Sequence, residues 1–202
     1  MKIKYLLAGV LIVALILVGV TIWLALRPYT FRGIVIDPPL RAPAIALTTH
    51  TGKPFRLSDQ TGNVVVIFFG YASCPDICPT TLYEFKKIRA QLGTAAAHVR
   101  FVLITIDPER DTPEQMRDYL SNFDPTFIGL TGTEAELTPV WQGYGVFRAK
   151  RTNTNNATNY LFDHSGRVYV VDARGNLKTT YPPGTSVEDM AADVQYLARE
   201  PQ

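Results

Sequence analysis

The stretch YASCPDICPTTL, residues 71–82, holds both cysteines of a 202-residue chain, Cys74 and Cys78. Two thiols at that spacing can form a disulfide, cycle as a redox couple, or supply part of a metal site. If Pro75 opens a helical turn, the two residues become i and i+4 neighbours with Cβ atoms about 5–6 Å apart. A relaxed disulfide needs Cβ atoms near 3.8 Å, so oxidation would distort the turn. The loop it closes is also too short to gain much from chain entropy. A structural staple is therefore the poorest use of the pair, and a strained, labile disulfide a better one. Two thiolates can instead reach one metal ion at about 2.3 Å each, and the N-terminal end of a helix favours the thiolate form. Two sulfurs alone suit linear Cu(I). A Cu(II)-capable or zinc site needs a third ligand, most often histidine.

The chain offers three histidines. His50 lies beside Gly52 in an expected turn, and His98 follows TAAA in a loop, so both read as surface or turn residues. His164, in LFDHSGRVYVV, stands after a long polar stretch and immediately before a strand, where loops on a rigid scaffold tend to place ligands. From its neighbours alone it is either a ligand or a hydrogen-bonded turn residue, since Asp163 and Ser165 flank it. Asp107 and Asp111, in DPERD, read as a turn and helix-start cluster before they read as support for a metal site. Proline on both sides of the cysteine loop, with Asp76 inside it, argues against its burial in an apolar core.

The elements that must position these residues follow from the apolar pattern. IALTTHTGKPFRL, residues 45–57, reads as a hairpin turning at Gly52. NVVVIFFGYA is a continuous apolar run suited to a strand covered on both faces, and it delivers the chain to Cys74. PTTLYEFKKIRAQL, residues 79–92, has helical spacing with Gly93 at its end, so the cysteines fall at a strand-to-helix junction. VRFVLITID is a second strand. Thr112, Pro113 and Gln115 then make an N-cap, first-turn proline and capping partner for a second helix. PTFIGLTG is a short strand, EAELTPVWQGYG a broken helical segment, and RAKRTNTNNATNY a polar loop. RVYVVDARGNLKTTYP is a hairpin turning at Gly175. SVEDMAADVQYLARE closes the chain as a helix capped by Ser186, with Val187, Met190, Ala191, Val194 and Leu197 on one face. This order describes an α/β chain with a mixed sheet, first parallel and then antiparallel, which is the order of a thioredoxin-like three-layer sandwich.

Residues 5–26, YLLAGVLIVALILVGVTIWLAL, carry no charge and are long enough to cross a hydrocarbon core about 30 Å thick. The run exceeds a signal-peptide core, and Trp23 to Arg27 do not resemble a cleavage site, so it reads as an uncleaved transmembrane helix. The expected organisation is an anchor at 1–27, a proline-rich tether at 28–44 leading into edge strands, and the folded domain at 45–202. Lys2 and Lys4 face Arg27, Arg32 and Arg41 across the anchor, so charge does not set its orientation. A short tail inside and the domain on the periplasmic or extracytoplasmic side is the economical arrangement. The formal charge of +2, with basic residues scattered, excludes the electrostatic footprint of a nucleic-acid binder.

CPDICPTTL, DPERDTPEQM and DHS ahead of VYVVD, in that order behind one anchor, resemble the Sco/SenC family of membrane-tethered copper proteins that serve cytochrome c oxidase assembly. The resemblance runs from about Gly52 to the last helix. It implies a thioredoxin-like fold, with copper as Cu(I) or Cu(II) held by Cys74, Cys78 and His164. It further implies delivery of copper to the copper A centre of cytochrome c oxidase subunit II, with another copper chaperone as a conceivable donor. The competing reading is a thiol-disulfide oxidoreductase using Cys74 and Cys78 as a redox pair to keep the partner's cysteines reduced. Against it, the residue before Cys74 is Ser73, not tryptophan, and three residues separate the pair. The expectation is a binding protein rather than an enzyme.

Overall fold

The computed structural model describes residues 2–25, 27–153 and 156–199. It divides into two units, Met1–Thr30 and Phe31–Gln202. The first contains helix α1, Lys2–Ala25, formed by the uncharged run the sequence singles out. Its described side chains are exposed, Leu11, Leu15 and Leu17 among them. Thr21 returns its hydroxyl to the Leu17 and Val18 carbonyls, so this hydroxyl is satisfied within the helix. Some side chains of α1 lie outside the described residues, and among the described residues no helix is long and apolar enough to cross a membrane.

The second unit is built on an eight-stranded mixed sheet. Its strands in chain order are β1 Ile34–Arg41, β2 Ala46–Thr49, β3 Pro54–Arg56, β4 Val64–Gly70, β5 Val99–Thr105, β6 Ile128–Thr131, β9 Val168–Val171 and β10 Asn176–Tyr181. The spatial order is β1-β10-β9-β4-β5-β6-β2-β3. β4, β5 and β6 are parallel, while β9 runs antiparallel to β4. Every residue of β4 is buried, as a central strand covered on both faces requires. The remaining helices are α2 Ile77–Leu92, α3 Pro113–Ser121, α4 Glu134–Gly143 and α5 Val187–Arg199. α2 and α5 pack on one another, α3 lies against β6, and α4 against β2. The expected hairpins are present, with Gly52 and Gly175 at positive φ in their turns. The expected caps also form, Thr112 accepting from the Gln115 amide and Ser186 from the Asp189 amide.

Two expectations are corrected. Within EAELTPVWQGYG, residues Glu134–Gly143 form one continuous helix, with Thr133 and Glu136 in a reciprocal capping box at its start and Pro139 accommodated within it. The polar stretch after Phe147 is a hairpin, β7 Arg148–Asn153 paired antiparallel with β8 Asn156–His164 as a separate two-stranded sheet. Its Thr and Asn content is that of a loop, but partners distant in sequence support the pairing. Arg148 donates to the Ile106 carbonyl and stacks on Trp141, and Lys150 pairs with Glu109 at 2.7 Å. The edge strand expected from the proline-rich stretch is β1, since Ile34–Arg41 pairs along β10 with a register shift across its proline pair.

Candidate metal centre

Two chain segments far apart in sequence meet at the C-terminal end of β4. The first is the loop from Tyr71 to Asp76, which leads into α2. Cys74 lies in this loop, ahead of the helix, and donates its amide to the Tyr71 carbonyl at 3.2 Å. Cys78 lies in the first turn of α2 and is fully buried. The single-turn geometry inferred from spacing is therefore corrected: α2 begins at Ile77, so the helix carries one cysteine and the loop presents the other. The expectation of an unburied loop is likewise corrected for Cys78. Both cysteines are free, and Cys74 is half-buried.

The second segment is the end of β8. His164 sits there with its Nε2 at 3.6 Å from Cys78 Sγ. Its Nδ1 faces the Ser165 carbonyl at 3.1 Å. A carbonyl oxygen only accepts, so this contact places the proton of a neutral ring on Nδ1 and leaves the Nε2 lone pair directed at the sulfurs. Edge contacts with Phe68 and Tyr71, at 6.1 and 5.8 Å between ring centroids, hold the imidazole plane. The Cys74, Cys78 and His164 donor atoms all lie within 4.8 Å of one another. A trigonal ion with bonds of about 2.3 Å to sulfur and 2.0 Å to nitrogen sets its donors roughly 4 Å apart, so this cluster fits one soft metal ion with small shifts.

The two thiols are electrostatically unlike. A hydrogen bond from Cys78, against the opposing effect of burial, holds the Cys74 thiol down at about 4, well below the ordinary thiol range. Burial pushes the Cys78 thiol far up, and the negative charge on Cys74 adds to the effect. At Cys78 desolvation therefore outweighs the helix N-terminus, contrary to the expectation from its position. The pair shares one proton, carried by the buried sulfur, and a bound cation would displace it.

The loop is held from below. Asp111, fully buried, accepts the Ala72 amide at 3.2 Å and the Thr105 hydroxyl at 2.6 Å. Burial raises its carboxyl to about 6. Asp107, also buried, accepts the Tyr160 hydroxyl at 2.8 Å and pairs with Arg110. The reading of these acids as a mere turn and helix-start cluster is thus incomplete: they tie the cysteine loop and β8 to the end of β5. Local sequence held no sign of this beyond two aspartates in a DPERD run. Asp163, beside the histidine, is occupied by Arg151 across the hairpin. His50 is a structural residue, its Nδ1 accepting the Gly129 amide at 3.0 Å, and His98 is exposed.

Backbone space is tight beneath Cys78. A Cβ on Gly70 would stand 2.8 Å from Cys78 Sγ and 2.8 Å from Phe68 Cε1. Gly70→Ala is therefore expected to cost about 1–3 kcal/mol by overpacking and to displace the buried sulfur, read as a lowered urea midpoint with unchanged slope.

The family model described as SCO1/SenC matches residues 40–199. The chain belongs to the SCO1/SenC family. Among its relatives, the SCO2-like protein of Rickettsia felis is 40% identical over 145 residues, covering 71% of each chain. The mitochondrial protein SCO2 of Saccharomyces cerevisiae is 33% identical over 161 residues, 76% of this chain and 53% of that one. Among solved structures, Bradyrhizobium japonicum ScoI with copper bound is 36% identical with a TM-score of 0.70, covering 76% of this chain and 97% of its own. The apo Sco1 protein of Thermus thermophilus is 35% identical with a TM-score of 0.75, over 84% and 98%. The thioredoxin-like mixed-sheet fold of this SCO1/SenC chain is thus the fold of its relatives, and its Cys74, Cys78 and His164 form the one possible metal-holding group among the described residues.

Proposed function

We propose that this protein is a membrane-tethered copper carrier that takes one copper ion at Cys74, Cys78 and His164 and delivers it to the copper A centre of cytochrome c oxidase subunit II. The carrying observation is the convergence of the three donor atoms within 4.8 Å, with the Nε2 lone pair of His164 aimed at the sulfurs. Copper bound to the related ScoI of Bradyrhizobium japonicum supports the choice of ion. Two thiolates and one imidazole favour copper, since structural zinc sites usually take four protein ligands. The half-buried Cys74 is the ligand an incoming thiolate reaches first, so copper leaves by stepwise ligand exchange. The apolar α1 run supports a single-pass anchor, with the folded unit on the periplasmic or extracytoplasmic side and another copper chaperone as donor.

A second reading, reduction of the partner's cysteines, has its own support. An accessible thiolate at Cys74 beside a protonated, buried Cys78 is the asymmetry of an attacking and a resolving thiol. The experiment that separates them is copper titration of the full chain. Cu(II) should bind with a one-equivalent endpoint, and His164→Ala should weaken it by more than about 100-fold, above the cost of losing a supporting group alone. Cu(I), for which two thiolates suffice, should be affected less. Full Cu(II) affinity in His164→Ala removes the histidine from the site. Unaltered reduction of a partner disulfide by that same variant, without copper, favours the second reading.

A further inference from the structure

Resting on the copper reading, we propose that Tyr71 is a positioning residue that docks the β7–β8 hairpin onto the cysteine loop and so sets the preference of the site for the three-ligand, Cu(II)-capable state. The hairpin is a sheet of its own, without ladder bonds to the main sheet, so His164 is placed only as well as that hairpin is docked. Tyr71 touches both halves of the site. Its backbone carbonyl accepts the Cys74 amide at 3.2 Å. Its hydroxyl accepts the Phe162 amide at 3.1 Å, two residues before His164. Its ring meets the rings of His164 and Phe162 edge-on, at 5.8 and 5.7 Å. The side chain is 1% exposed, so no water substitutes for the hydroxyl. The polar ties of the hairpin from Tyr160 to Asp107, from Arg148 to Ile106 and Glu134, and from Lys150 to Glu109 hold it to the end of β5, the segment after it and α4, not to the cysteine loop. Without the hydroxyl the Phe162 amide loses its partner and β8 is free to shift against Cys78, which moves the imidazole but neither sulfur.

The test is Tyr71→Phe in the full chain, which keeps the ring and removes the hydroxyl. Cu(II) affinity is expected to fall about tenfold, the scale for losing a group that orients a ligand, and by more than Cu(I) affinity falls. The Cu(II) absorption and electron paramagnetic resonance spectra should move toward those of His164→Ala. Tyr169→Phe serves as the control, since it removes another buried hydroxyl, bonded to the Tyr144 carbonyl at 2.9 Å, remote from the loop. Equal losses for Cu(I) and Cu(II), or spectra matching the Tyr169→Phe protein, overturn the proposal. A metal-free readout separates its failure from that of the copper reading. In Tyr71→Phe the Phe162 amide should exchange faster and the His164 imidazole resonances should shift. If the parent chain takes up no copper, the copper reading falls, and unchanged exchange and resonances would then overturn the docking role as well.

Discussion

Replacing Cys78 with serine is expected to yield a folded protein that no longer holds copper. The thiol is fully buried and donates to the Cys74 sulfur, and a serine hydroxyl, though shorter, offers the same donor. The substitution therefore leaves no buried donor without a partner, and its cost in stability should stay near 1 kcal/mol. As a ligand, however, the hydroxyl fails: it is a hard oxygen and stays protonated at neutral pH, whereas copper selects soft thiolate. One sulfur and one imidazole remain, and Cu(I) and Cu(II) affinity should each drop by more than about 100-fold, beyond the effect of losing a supporting contact. Competition titration against a chelator of known strength measures the drop, and a urea unfolding curve shows that the fold survives. A Cys78→Ser chain that bound copper like the parent would move the site elsewhere.

The second large effect falls on Asp111. Removing its carboxylate in Asp111→Ala takes the acceptor from the Ala72 amide and from the hydrogen of the Thr105 hydroxyl, whose oxygen keeps the Asp107 amide, and each lost acceptor costs about 1–3 kcal/mol. A loss of about 3 kcal/mol should lower the melting temperature of a unit this size by roughly 6–12 °C. The carboxyl also makes stability depend on pH. Burial raises it from 3.8 to about 6 in the folded state, Asp107 adding to the shift and Arg110 opposing it. The folded protein therefore holds the proton more tightly than the unfolded chain. Its contribution is complete below about pH 4, is lost as pH rises to about 6, and changes no further above that, since the stability slope follows the difference in bound protons. At about 1.4 kcal/mol per unit the parent should lose about 2–3 kcal/mol across this window relative to Asp111→Asn, whose amide does not titrate. Urea midpoints of the metal-free proteins at pH 4, 5, 6 and 7 test this. A difference between the two that stayed flat with pH would show that Asp111 is ionised in both states.

Much of the fold was readable because its signals are local. β4 is a run of apolar residues that only a doubly covered strand accommodates, and Thr112, Ser186, Gly52 and Gly175 mark their caps and turns by backbone chemistry that needs no distant partner. The β7–β8 hairpin was not readable, because its strands carry loop-forming residues and draw support from Ile106, Asp107 and Trp141. The helix was read from spacing over residues 79–92, with Pro75 as a conditional earlier turn; the Cys74 amide instead turns back to Tyr71, and α2 begins between the two, at Ile77.

The same division runs through the site. The types and spacing of Cys74 and Cys78 determined that the chemistry would be that of soft sulfur, and the motif order pointed to His164 as the third donor. Tertiary structure alone decided that the histidine reaches them, because 86 residues of chain separate Cys78 from His164 and the approach depends on how a separate hairpin docks. It also decided that the two cysteines are unequal. Spacing treats them alike, whereas burial, a property of the packed core, leaves one sulfur protonated and makes the other a thiolate. The roles of Asp111 and Tyr71 arise the same way, since a carboxylate or a phenol becomes a support only when the fold removes water and leaves a particular amide as its partner.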